Sequence, residues 1–159
     1  MADSLARVSY VAREARQEML DTLGDGIDEI AVALAALGAA YEQLGTAPAD
    51  RLEEELFRPV QAAYGRGKRT HAGFAERQGL PGRDFAPANP GLPSTGIRGF
   101  VDKAVEAAAE ADAVLSELQD SMMPVEVGDA ELRAGLSEVR ELLGDVRTRA
   151  REFLRTLGR

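Results

Sequence analysis

The chain contains no cysteine and no tryptophan, a single histidine, and only 5% aromatic residues. Without cysteine there can be no disulfide, no thiolate metal site and no cysteine nucleophile. That absence is neutral about compartment. A carboxylate-bridged metal pair in a helical bundle needs Glu-x-x-His on each of two helices. The one histidine, His71, has Lys68 three positions before it, so that motif is missing. One histidine among scattered serines and aspartates specifies no nucleophilic arrangement either. The sequence therefore assigns no catalytic residue, no metal site and no cofactor.

Long apolar runs are also missing. The longest candidate, Ile30–Ala40, is about eleven residues and is flanked by acids, far short of the ~20 that a membrane-spanning helix needs. No basic-then-apolar leader precedes it, and a soluble, cytoplasmic protein is expected. A net charge of −8 disfavours general affinity for nucleic acid or anionic lipid.

What is present is helical in character. Ala, Leu, Val, Glu and Arg dominate, a mix that favours helix over strand, and 159 residues fit one domain with a real core. Apolar residues recur in steps of three and four. The first series runs from Leu5 and Val8 through Met19, Leu23, Ile27, Ile30 and Leu37 to Leu44. It holds its phase across Gly24 and Gly26, and we expect one helix to continue through them. The second series is Leu52, Leu56, Val60, Ala63, Gly67, His71 and Phe74, with Pro59 predicting a kink inside it. The third runs from Ile97 to Met122, capped by Ser94 or Thr95 and ended by Met123-Pro124. The fourth runs from Leu132 to Leu157, capped by Asp129, with arginines from Arg147 to Arg159 toward its C-terminus. The predicted helices are about 3–45, 49–79, 95–122 and 129–157. Each is too apolar on one face to stand alone, which predicts an all-α four-helix bundle.

Between the second and third helices lies a strap, residues 80–95, holding four of the seven prolines. At ~3.1 Å per residue it spans roughly 50 Å, and a thirty-residue helix is about 45 Å long. Two connections satisfy that length: a crossover along the bundle, giving ferritin-like connectivity, or an excursion at one end. Leu80, Phe85 and Leu92 are the expected anchors of an ordered strap.

Two functional patterns stand out. Asp21, Asp25, Asp28 and Glu29 fall at helical intervals, but the paired Glu-x-x-Glu and Glu-x-x-Asp helices of all-helical nucleotide pyrophosphohydrolases are not reproduced. A solvated acidic face explains these residues. Residues 58–77 are instead locally basic, and Tyr64, Arg66, Lys68, Arg69 and His71 are the candidate ligand-binding residues for a small phosphate-like anion beneath the strap. Gly65-Arg66-Gly67-Lys68 lacks the spacing and the following Ser/Thr of a phosphate loop. The leading expectation is a non-catalytic interaction or scaffold bundle that self-associates as a homodimer or binds a protein partner. A first helix of ~60 Å would overhang partners of ~45 Å and leave an apolar end to cover. The alternative is a phosphate- or small-ligand-binding bundle built on the basic segment.

Overall fold

The computed structural model describes residues 2–121 and 129–158. All regular structure among them is helical. α1 (Ala2–Glu42) is followed by α2 (Thr46–Leu52), a π-helical turn (Glu53–Phe57) and α3 (Arg58–Arg77), which together form one continuous rod. After the strap and a 3₁₀ turn (Pro93–Thr95) come α4 (Gly96–Asp120), α5 (Ala130–Leu143) and α6 (Val146–Leu157).

α1 passes through Gly24 and Gly26 without a break. Both glycines sit at close approaches, where neighbouring packing offsets their low helix propensity. A Cβ at Gly26 would lie 3.1 Å from the Leu115 side chain on α4, and one at Gly24 would lie 3.0 Å from Arg83 in the strap. Gly67 and Gly135 do the same service, against Ile27 and Thr70 respectively. The apolar face of the second rod is buried at every expected position from Leu52 to Phe74.

Contacts between named residues fix the topology. Going up α1, Gly24 meets His71, Ile27 meets Gly67, and Leu34 shares a groove with Phe57, so α3 runs down. Gly26 meets Leu115, and Ala35 and Gly38 share a groove with Phe100, so α4 also runs down. Arg66 pairs with Glu138 and Arg77 with Asp129, while Asp112 pairs with Arg140, so α5 runs up. The order is up, down, down, up: two antiparallel hairpins joined by a crossover that travels the length of the bundle. This is the ferritin-like connectivity rather than the end excursion.

Several local expectations need correction. Where a kink is expected at Pro59, the helix runs on through a π turn just before it. Proline has no N–H to offer the carbonyl four residues back, and that carbonyl, Glu55 O, instead accepts from Arg149 Nη1 at 3.3 Å. Neither Ser94 nor Thr95 caps α4 through its side chain: Thr95 holds the cap position without a side-chain bond. Asp129 does cap α5, accepting from Leu132 N–H at 2.8 Å. The fourth helix is broken at Gly144-Asp145, where Gly144 N–H bonds back to Glu141 O in a tight turn and Asp145 starts α6. Glycine is a poor helix residue, Asp145 takes the cap position without a side-chain bond, and the three-residue step from Leu143 to Val146 keeps both pieces in phase. The expected stop at Met123-Pro124 lies outside the described residues.

Candidate functional site

The strap lies along α1 for most of its length. Arg13 Nη2 donates to Gly79 O at 3.4 Å, and Gln43 Nε2 donates to Pro93 O at 2.9 Å. Thirty residues of α1 and fourteen of strap therefore span the same distance, ~45 Å. Leu80 is buried and Phe85 packs on the core. Leu92 is not an anchor; it is 72% exposed. Backbone carbonyls hold that end instead, with Lys103 Nζ donating to Pro90 O at 2.9 Å and Gly91 turning the chain at φ +95°.

Beneath the strap, α1 and α3 bring together a compact set of side chains. Arg83 forks onto Asp28, with Nη2 and Nη1 donating at 2.8 and 3.1 Å. The same guanidinium stacks on Phe85, 4.2 Å from the ring centre. Phe85 in turn meets His71 edge-on, with ring centres 5.0 Å apart. His71 is 2% exposed, and Gly24 opens the space that it and Arg83 share. Burial is the main force holding the imidazole below its ordinary pKa, with the Arg83 charge adding to it; Asp21 and Asp28 pull the other way. His71 is packed by the Phe85 ring, and it makes no hydrogen bond to another described residue. Tyr64 is half-buried beside it, its phenol raised by burial and then by Asp28. Lys68 Nζ lies over the Tyr64 ring at 4.3 Å.

The five basic-segment candidates do not converge. Tyr64, Lys68 and His71 share the face toward α1 and the strap. Arg66 points to the opposite side, donating to Glu138 at 2.6 Å and to Thr70 Oγ1 at 3.2 Å. Arg69 is exposed between the two faces. The 64, 68, 71 spacing already marks one helical face, and it could have separated Arg66 and Arg69 from the rest. Asp28, Arg83 and Phe85 carry no comparable signal, because an extended strap has no periodicity to align it with a helix. Among the acids, Asp21 accepts from Gln17, and Glu29 is raised by burial and then by Glu110 and Asp28. No three His, Asp or Glu side chains among the described residues converge on a point that could hold a metal ion.

The other unusual surface is the free end of α1. Gly79 marks the end of the strap-and-α3 cover at Arg13, and burial on α1 begins at Met19. The turns before that carry Leu5, Tyr10 and Val11 at 72%, 64% and 62% exposure, three of the five large apolar residues left exposed among those described. At the base of this segment Arg16 Nε is buried and finds no acceptor among the described residues. No described helix is long and apolar enough to cross a membrane. Comparisons with protein-family models, with curated proteins and with solved structures each found no match.

Proposed function

We propose that the protein is a non-catalytic, cytoplasmic interaction bundle that self-associates through the free end of α1. The observation that carries this reading is the unbroken α1, 41 residues long, or about 60 Å. An isolated helical segment of some eleven residues is marginal in water, so the overhang needs a neighbour to stay formed. Leu5, Tyr10 and Val11 leave large apolar side chains exposed around these turns for that neighbour to cover. Residues 2–17 hold three arginines against two acids, so two such ends do not meet the mutual repulsion that the chain's overall −8 implies.

Light scattering over a wide concentration range tests this. The native chain is expected to show a mass above the monomer that falls on dilution, and the L5S/V11S variant a monomer that loses only the helix of the overhang and keeps the melting transition of the body. A strict monomer at every concentration overturns the reading.

A further inference from the structure

The break at Gly144-Asp145 changes what the C-terminal arginines mean. Arg147 lies one residue after the start of α6, and Arg98 lies in the first turn of α4. A cation in a first turn opposes the helix dipole, so neither can be explained as a helix-end charge. Both line one cleft between α4 and α6, together with Arg151, Arg155 and Asp102, over a floor that includes Val105 and Leu154. The cleft encloses about 500 Å³, within the range of small-molecule sites.

Arg66, Arg77, Arg83 and Arg140 each grip a carboxylate on a neighbouring element, while Arg51, Arg58 and Arg69 are exposed and unpaired among the described residues but line no shared groove. In the cleft only Arg155 has a carboxylate partner, Glu152 on its own helix. Arg98, Arg147 and Arg151 make no ion pair or hydrogen bond with a described residue, and Asp102, though it lines the cleft, pairs with none of them. Arg147, Arg151 and Arg155 also stack at four-residue intervals on one face of α6, where like charges repel. In a chain with 27 acidic residues against 19 basic ones, three exposed, unpaired guanidinium groups gather around one concave surface.

We propose that this cleft binds a small phosphate monoester or diphosphate. Guanidinium groups match phosphate oxygens in a fork. Three unpaired guanidinium groups against the one carboxylate of Asp102 in the cleft suit a multiply charged phosphate better than a single carboxylate. The apolar floor takes the uncharged body of the ligand, and Asp102 accepts a hydroxyl or amine from it. The site is separate from the free end of α1 and stands whether or not the protein self-associates.

Thermal unfolding and titration calorimetry with pyrophosphate and with AMP, both without metal, test the site, alongside vesicles containing phosphatidic acid. Saturable stabilisation by a soluble phosphate is expected, weakening as salt is added. R147Q and R98Q, on different helices and both exposed, are each expected to weaken binding by about tenfold or more, and R69Q to leave it unchanged. Four outcomes overturn the proposal: no saturable response to either soluble probe, binding as tight as the native chain's in R147Q or in R98Q, loss in R69Q, or binding to vesicles alone.

Discussion

Gly135 and Gly38 are the same residue type in helix interiors, with opposite roles. A Cβ on Gly135 would stand 2.6 Å from Thr70 Cγ2 and nearer still to its Oγ1, whereas one on Gly38 meets nothing within 4 Å. Alanine gains about 1 kcal/mol of helix propensity over glycine, but overpacking a tight contact costs about 1–3 kcal/mol. G38A is therefore expected to raise the melting temperature by a few degrees and G135A to lower it, as calorimetry can check. Asp129 is the residue with the most roles: it caps α5, and both its oxygens accept from Arg77, at 2.8 and 2.9 Å. Burial pushes its pKa up, but Arg77, the Leu132 N–H and Gln78 outweigh that and hold it below its ordinary value. A depressed carboxylate adds stability that is present above its unfolded pKa of about 4 and is lost as pH falls through the lower folded value. D129A is expected to cost about 2–3 kcal/mol at pH 7 from the lost cap and charged bonds. D129N keeps a capping side chain and is expected to cost less, with its deficit closing in acid; denaturant titrations at pH 7 and pH 3 measure both.

At the scale of elements, helical period made the core faces legible: every apolar position expected between Leu52 and Phe74 is buried. Period could not show which helix lies opposite Arg66 or Arg77, because a surface charge finds its partner through tertiary packing. It also ran straight through Gly144-Asp145, since a three-residue step hides a helix break. The strap's length and prolines announced a connection, yet its route and its Asp28 and Phe85–His71 contacts needed the folded chain. The exposed Arg83–Asp28 pair is worth little by itself, and Phe85 packing supplies more of the hold at that point of the strap. F85A is expected to speed amide exchange across 80–95 markedly while α3 and α4 stay protected, with R83A having the smaller effect. Because His71 is kept neutral beneath the strap, its contribution is full above about pH 6.5. It falls as pH drops below that, where the unfolded chain takes up the proton first. H71L is expected to remove that part of the pH dependence in unfolding titrations between pH 7 and pH 5.

The whole molecule is an up-down-down-up bundle whose first helix is longer than the body it packs on. The strap is the topological device that makes this possible: it lets α4 start beside the far end of α1, so that α1 is flanked by α3 and α4 together. What the body leaves uncovered is the end carrying Leu5, Tyr10 and Val11. Amide exchange of residues 3–12, followed at high and at low protein concentration, is the most direct test of whether a second chain covers that end. The expected result is slow exchange at high concentration that gives way to fast exchange on dilution, with Met19 onward protected throughout. Equally fast exchange of residues 3–12 at both concentrations would contradict it.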